Sequence, residues 1–337
     1  YRRGLHRIAR GVRYYREWWR LIRYLWRTRP DVVQFGDIRF ATDLLPLALL
    51  RLSGLRLADI CHNVVPFDTR ATSAALVVRS PLIRRLYRWL YGCCDVIFVH
   101  SPSNRREFLR LYGGDPDRIR VIAHGNEQLF LQCKAPQNGN GRAHLPVSIP
   151  EQAPVALFFG TLTKYKGVEY LLDAFAQVRR ALPQARLVIA GYPNPEVDPA
   201  ALRERAKTLG IGEATLFHLE YIPNDAVAAW FTRADVVVLP YLMVYQSGAL
   251  QVAYSFGKPV VATAVGGLPD VVQHGKTGLL VPPRDAAALA EALIALLSNP
   301  GLARRLGQQA RDISETLYSW DGIAEQIRAA YATPRAR

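Results

Sequence analysis

The stretch ADVVVLPYLMVYQSGALQVAYSFGKPVVAT, residues 234–263, contains two short apolar runs separated by a turn and a helix-like segment. The runs DVVVLP and KPVVAT are continuously apolar, which is typical of strands in a parallel sheet that is covered on both faces. Between them, Gln246, Ser247 and Gly248 stand where a strand ends and a helix begins. Small polar residues at such a turn leave helix N–H groups exposed, and these groups can bind an anion.

The same alternation of apolar runs and helical patterns extends along the whole chain. Strands are predicted at DVVQF, LADIC, DVIFVHS and IRVIAHG in the first half, and at VALFFGTL, ARLVIAG, TLFHLEY and GLLVPP in the second. Helical patterns such as residues 168–182 and 286–297 separate them. The pattern predicts an α/β fold with two doubly wound, Rossmann-like domains that face each other across a cleft. A Pro-, Gly- and Asn-rich segment at 133–154 is predicted to link the two domains.

Composition excludes several classes of protein. Half of the 337 residues are hydrophobic, so the chain is a folded one, and its length is that of two domains. The four cysteines lack zinc-type spacing and predict buried reduced thiols and no metal site. No apolar stretch reaches the roughly 18 residues that a membrane-spanning helix needs.

The net charge of +15 is concentrated in residues 1–29, where ten arginines face a single acid, Glu17. Arginines and apolar residues each recur every three or four positions, which predicts one amphipathic helix with a basic and an aromatic-rich face. Such a helix can lie on an anionic bilayer, whereas the alternative is a stripe packed on a sheet with its arginines in solvent. No nucleic-acid-binding motif occurs in the chain. The predicted membrane residues are Arg7, Arg10, Trp18, Trp19, Arg20, Arg23 and Trp26.

Open parallel sheets bind ligands beyond the carboxyl ends of their strands, and this rule selects a few loops. In the second half these loops are GTLTKYKG, GYPNPE, YLMVYQSG and AVGGLPD. Several glycines and Lys166 therefore converge on one edge of the second sheet. Together they predict a cradle for a nucleotide diphosphate, in which Lys166 supplies charge and the helix start at Ser247 supplies N–H donors.

Three segments carry a resemblance to a known family: FFGTLTKYKGVEYLLDAF (158–175), the stretch from 257 to 283, and YSWDGIAEQIRAAY (318–331). Through them the chain resembles the retaining family 4 glycosyltransferases of the GT-B fold over nearly its whole length. The resemblance implies an enzyme that moves a sugar from a nucleotide-diphosphate sugar to an acceptor hydroxyl with retained configuration. The domains that it implies are an acceptor-side domain at 1–145, a nucleotide-sugar-binding domain at 146–313, and a helix at 314–337 that crosses back to the first domain.

The resemblance also implies roles for single residues. Lys166 matches the lysine that contacts the donor diphosphate, and Gly160 matches the glycine that lets backbone approach the phosphates. His62 matches a histidine that reaches the donor sugar, so His62 and Lys166 are the predicted catalytic residues. The predicted donor-binding residues are Gly160, Thr161, Lys164, Lys166, Gly191, Gln246, Ser247, Gly248 and Gln251, and possible ligand contacts in the cleft are Asn63, His124 and Glu127.

Three features depart from the family pattern. Thr161 stands where an arginine commonly follows the glycine, and Lys164 can partly restore that charge. Val244 and Val252 stand where many members carry glutamates that touch sugar and ribose hydroxyls, and no acid occurs in residues 236–269. The chain also begins inside the arginine-rich helix, where family members open with a strand and a glycine-containing loop. The first sheet is therefore expected to lack its N-terminal strand.

The mechanism that this pattern implies needs neither a metal nor another cofactor. Lys166 and the helix N-termini stabilise charge on the departing diphosphate, and His62 positions the donor sugar. The expected partners are a nucleotide-sugar donor, a lipid-linked or glycan acceptor and an anionic membrane surface on the cytoplasmic side, with the oligomeric state left open. Two alternatives remain, a nucleotide-sugar epimerase-like enzyme and a non-catalytic nucleotide-sugar-binding partner of another transferase.

Overall fold

The computed structural model describes residues 2–38, 40–65, 80–132, 145 and 149–333, without the side chains of residues 2–8. Most of the predicted linker therefore lies outside the described residues. The chain divides into two compact units. The first contains residues 1–122 and 325–337, and the second contains residues 123–324.

The first unit is built on a four-stranded parallel sheet in the order β1-β2-β3-β4. Serine and proline start two of its helices: Ser80 and Ser101 accept hydrogen bonds from backbone N–H groups of the first turn, and a proline follows each serine. The strands are β1 (Val33–Gly36), β2 (Leu57–Ile60), β3 (Val96–Val99) and β4 (Ile119–Val121), and the helices are α1 (Arg2–Thr28), α2 (Leu44–Leu52), α3 (Pro81–Gly92) and α4 (Pro102–Tyr112).

The second unit is built on a six-stranded parallel sheet in the order β10-β9-β8-β5-β6-β7. Its strands are buried apolar runs, because helices cover the sheet. They are β5 (Val155–Phe159), β6 (Arg186–Ala190), β7 (Thr215–His218), β8 (Val236–Leu239), β9 (Val260–Thr263) and β10 (Gly278–Val281). The sequence prediction of an α/β chain with two parallel sheets is confirmed.

The helices of the second unit connect these strands and pack on the sheet. The longer ones present an apolar side to the core, as α11 does with Leu289, Leu293 and Leu296. They are α5 (Leu129–Gln132), α6 (Val168–Ala181), α7 (Pro199–Thr208), α8 (Val227–Arg233), α9 (Gly248–Ser255), α10 (Leu268–Val271), α11 (Ala286–Leu297) and α12 (Pro300–Thr316). A last helix, α13 (Trp320–Ala332), ends in the first unit, where Tyr331 lies 6.0 Å from the ring of Phe98.

The strand order places a topological switch point in the second sheet. The chain goes from β5 outward through β6 and β7, and then returns to the other side of β5 as β8. The loops that leave β5 and β8 therefore run in opposite directions and open a crevice at the carboxyl ends of these two strands. In the described part of the first sheet the strands follow one another in sequence order, without such a reversal.

Candidate active site

A cavity of about 370 Å³ lies at this switch point, inside the second unit. Its walls come from the ends of β5 and β8, the turn that contains Lys166, the start of α9 and the loop that contains Glu127. This size is in the range of small-molecule sites. The predicted donor-binding residues that line it are Gly160, Lys166, Gln246, Ser247 and Gly248.

Glycines let the backbone approach closely at this edge of the sheet. Gly160 follows β5 with a φ of +116°, and a Cβ there would lie 3.2 Å from the ammonium of Lys166. Gly191 follows the neighbouring β6, and a Cβ on it would lie 2.2 Å from the carbonyl oxygen of Gly160. Gly191 is not part of the cavity wall. Its effect is indirect, since it leaves room for the loop of Gly160.

Lys166 points a cation into the cavity that no described carboxylate pairs with. Its ammonium lies 5.9 Å from the ring of Phe158 and 5.7 Å from the ring of Tyr241, within reach of cation–π attraction. Burial without a counter-ion lowers the pKa of Lys166 to about 8. The turn that holds it ends at Gly167, whose left-handed conformation brings it against the carbonyl of Pro240. The site therefore offers an anion a partly desolvated positive charge.

The turn after β8 supplies the opposite wall. Ser247 is buried and caps α9 by accepting a hydrogen bond from the N–H of Leu250 at 3.3 Å. Gly248 is exposed beside it, with nothing where a Cβ would stand. The glycine pair that follows β9, Gly266 and Gly267, has a different use: Gly266, with a φ of +54°, passes so close to the carbonyl oxygen of Val244 that a Cβ would lie 1.6 Å from it. Gly266 therefore supports the wall, and Gly248 faces the cavity.

Three of the predicted donor-binding side chains lie outside the cavity wall. Thr161 and Lys164 are exposed on the turn that leads to Lys166. Gln251 is 2% exposed inside α9, where its Oε1 has no hydrogen-bond partner among the described residues. Of the possible cleft residues, Glu127 lines the cavity; His124 is a half-buried residue of the same unit that does not line it, and Asn63 is a half-buried residue of the first unit.

His62 lies in the first unit, directly after β2, and contacts a second histidine. Its Nδ1 lies 2.9 Å from Nε2 of His100, and the ring centroids are 4.9 Å apart. Sequence reasoning missed His100. The signal was present, because Ile60 and Phe98 are paired in the parallel ladder and each histidine stands two residues beyond its strand partner. The two rings share one hydrogen bond, in which one nitrogen donates and the other accepts.

The basic helix α1 leaves most of its apolar stripe uncovered. Val12, Trp19 and Trp26 are 65%, 49% and 36% exposed, and the two indole rings pack edge to face at 5.8 Å. Of the predicted stripe members with described side chains (Val12, Tyr15, Trp19, Ile22 and Trp26), Ile22 is buried and the others are exposed. Helix α1 packs on its own unit through a different set of residues, Tyr14, Trp18, Ile22 and Leu25, while its arginines with described side chains lie in solvent.

The predicted membrane residues of α1 divide into two groups. Trp18 is half-buried and donates to the carboxylate of Asp43 at 3.2 Å, so it attaches α1 to its own unit. The others with described side chains, Arg10, Trp19, Arg20, Arg23 and Trp26, are exposed, while the side chain of Arg7 lies outside the described residues.

The described part of the chain contains no cluster of three or more potential metal ligands. Cys61, Cys93 and Cys94 are free thiols buried in the first unit. No single described helix is long and apolar enough to cross a membrane; α11 together with the segment Pro300–Ala332 meets the length and composition only as a pair bent by 97°.

Comparison with known proteins adds two family matches. The model of the glycosyl transferases group 1 matches residues 143–313, and that of glycosyltransferase family 4 matches residues 1–126. A D-inositol 3-phosphate glycosyltransferase of Corynebacterium efficiens is 32% identical over 242 residues, which are 71% of this chain and 56% of that protein. One from Streptomyces coelicolor is 31% identical over 80% of this chain and 60% of its own length. The chain spans little more than half of the curated relatives it matches.

Solved structures show the same architecture. Sucrose-phosphate synthase from Thermosynechococcus elongatus superposes with a TM-score of 0.71 at 25% identity, covering 91% of this chain and 74% of that one. Anabaena HepE in complex with UDP-glucose superposes with a TM-score of 0.71 at 18% identity, covering 93% and 80%. The predicted GT-B fold class is thereby confirmed.

Proposed function

Because the chain belongs to the group 1 and family 4 glycosyltransferases, we propose that it transfers a sugar from a nucleotide-diphosphate sugar to an acceptor hydroxyl with retained configuration. The observation that supports this most is the cavity at the β5/β8 switch point, where Lys166 has no anionic partner. A diphosphate supplies that partner, and the N-terminus of α9 adds N–H donors beside it.

In the proposed reaction the bond between the sugar and the diphosphate breaks while the acceptor oxygen approaches from the same face. Negative charge then grows on the departing phosphate, next to Lys166. A preorganised cation in a partly dry cavity stabilises such charge more in the transition state than in the ground state. The departing phosphate accepts the proton of the acceptor hydroxyl, so this proposal requires no metal ion. His62 acts in transfer by positioning the donor sugar, and not in diphosphate binding.

The first test is thermal stabilisation of the purified chain by UDP, GDP and ADP and by their sugar conjugates. UDP is the leading candidate, since HepE, a protein of the same fold, was solved with UDP-glucose. A ligand at about a hundred times its dissociation constant adds roughly 2.7 kcal/mol to the free energy of unfolding. We expect stabilisation by one nucleotide class. Stabilisation without transfer or hydrolysis would indicate the non-catalytic alternative, and no stabilisation by any of them contradicts the proposed function.

We further propose that α1 holds the protein on an anionic membrane surface, where it meets a lipid-linked acceptor. The exposed indoles of Trp19 and Trp26 suit the interfacial region of a bilayer, and the arginines of the same helix suit anionic headgroups. This arrangement brings an enzyme to a substrate that stays in the membrane.

Replacing Arg13, Arg23 and Arg27 with glutamine is expected to weaken binding to phosphatidylglycerol vesicles about 100-fold, since each arginine near such a surface contributes about 1 kcal/mol. All three are exposed on α1. Vesicle co-sedimentation at two salt concentrations measures the effect. The matched control replaces the exposed Arg304, Arg305 and Arg328 with glutamine, which changes the net charge equally. Equal losses in both triple variants would contradict a specific role for α1.

A further inference from the structure

The carboxylate of Glu127 is the one acidic group among the residues that line the cavity. It forms no hydrogen bond and no ion pair with any residue in the described part of the chain. Burial raises its pKa, and burial is the single cause. Lys166 lines the same cavity and does not pair with it either. The cavity therefore holds a cation and an anion that are kept apart and both lack a partner.

The loop of Glu127 is held rigidly by bonds that do not involve this side chain. Its own N–H donates to Oγ of Ser255 at 3.2 Å, which ties the loop to the end of α9. The side chain of Asn126 donates to the carbonyl of Ser314 at 2.9 Å, and the indole of Trp320 donates to the carbonyl of Asn126 at 2.9 Å. Such backbone anchoring sets the position of the carboxylate before any ligand arrives.

Gly125 shows how tightly this loop is packed. A Cβ at this position would lie 2.3 Å from the indole ring of Trp320. The loop thus approaches the start of α13 as closely as a backbone can, and Glu127 lies in the cavity wall.

The chemistry required of a ligand follows from this arrangement. An ionised carboxylate only accepts hydrogen bonds, so its partner must be a donor. Lys166 takes the phosphates, and the same ligand must then present donors to Glu127 at another part of the cavity wall. Adjacent hydroxyl groups are such donors, and a nucleotide sugar carries them on its ribose and on its transferred sugar. Residues 236–269 supply no acid for this purpose, and the residues from this range that line the cavity, such as Val244 and Val252, carry no carboxylate.

We propose that Glu127 binds hydroxyl groups of the nucleotide-sugar donor, and thereby supplies the carboxylate that the turn after β8 lacks. This inference rests on the proposed function, because it assigns a second contact to the same ligand. Glu127 is then a specificity-determining residue: it favours a donor with hydroxyls at that position over one without them.

The experiment is calorimetric titration of the full chain and of the Glu127→Gln variant with UDP, GDP and ADP, with their 2′-deoxy forms and with their glucose conjugates. Glutamine keeps the shape and removes the charge, so binding of the recognised nucleotide is expected to weaken about tenfold or more. The control is Glu213→Gln, an exposed glutamate outside the cavity. Thermal melting of the variant should match that of the parent, because the carboxylate forms no hydrogen bond and no ion pair with a described residue.

Comparing these ligands distinguishes the hydroxyl groups of the ribose from those of the transferred sugar. If Glu127 binds the ribose, Glu127→Gln should lose the same affinity for the nucleoside diphosphate and for its glucose conjugate. The parent protein should then bind the 2′-deoxy form weakly. Recognition of the transferred sugar predicts a loss with the conjugate alone. Binding by the parent together with equal binding by Glu127→Gln overturns this inference and leaves the proposed function standing. No binding of any nucleotide by the parent overturns both.

Discussion

Replacing Lys166 with alanine is expected to weaken nucleoside diphosphate binding about 100-fold and to lower kcat/KM for transfer about 1,000-fold, the range found when a transition-state donor is removed. The lysine is partly buried at the carboxyl end of β5, over the rings of Phe158 and Tyr241. Its ammonium has no described carboxylate to neutralise it. In the proposed function, a diphosphate would therefore be bound by a charge that water screens weakly.

Lys164 provides the matched control for this substitution. It lies two residues earlier on the same turn, exposed and outside the cavity wall, so Lys164→Ala is expected to leave binding within about twofold of the parent, as surface charges do. Calorimetry with the recognised nucleotide measures both variants. Equal effects of the two substitutions would mean that the turn acts through its net charge and not through a placed ammonium.

The pH dependence gives an independent readout of the same lysine. Burial lowers its pKa to about 8 in the free protein, and a bound diphosphate favours the ammonium form. Below pH 8, and above the second pKa of the terminal phosphate at about 6, the lysine and the ligand are both charged, so affinity changes little there. Above pH 8 binding must also take up a proton, and affinity is expected to fall up to tenfold per pH unit. The Lys166→Ala variant should lack this decline.

The strands were predictable because both sheets are parallel and covered. Nine of the ten described strands fall within predicted apolar runs such as LADIC and VALFF, since residues buried on both faces of a sheet leave no polar alternation. The edge strand β1 extends one residue beyond the predicted run DVVQF, to Gly36. The exact helix range Ala286–Leu297 was likewise visible from its periodicity. The strand order could not be predicted from the sequence, because it depends on which strands pair. That pairing is set by contacts between distant segments of the chain.

Parts of the candidate site could be predicted and parts could not. The rule for carboxyl ends of parallel strands selected Gly160, Lys166 and Ser247, and the structure places all three around one cavity. Side-chain direction on a tight turn is not readable from spacing: Thr161 and Lys164 are exposed outside the cavity wall, and their role in donor binding stays a prediction. The position of Glu127 depends on how its loop packs against the ends of α9 and α12.

A buried carboxyl group in the first unit was also invisible to sequence reasoning. Asp59 stands in the middle of β2 and is fully buried. One of its oxygens accepts the N–H of Ile38 at 3.2 Å, and the other has no hydrogen-bond partner among the described residues. Burial raises the pKa of Asp59 to about 7, and the nearby charge of Asp37 adds to the shift. The folded protein therefore holds a proton that the unfolded chain releases near pH 4.

This proton makes the stability of the first unit depend on pH. Because the folded state binds more protons between pH 4 and pH 7, the free energy of unfolding falls as the pH rises through this window, and the loss is complete above pH 7. Asp59→Asn removes the ionisable group. We expect this variant to equal the parent near pH 4 and to be more stable by up to about 4 kcal/mol at pH 8, the equivalent of the pKa shift.

Urea unfolding between pH 4 and pH 8, followed by tryptophan fluorescence, measures the effect, since Trp18, Trp19, Trp26 and Trp89 all lie in the first unit. Asp31→Asn is the control, because Asp31 is an exposed aspartate of the same unit. In this control the free energy of unfolding should change with pH as it does in the parent protein. In Asp59→Asn it should change less with pH. The same dependence of the free energy of unfolding on pH in all three proteins would contradict this prediction. It would mean that Asp59 is ionised in the folded state, where water or a neighbouring group stabilises its charge.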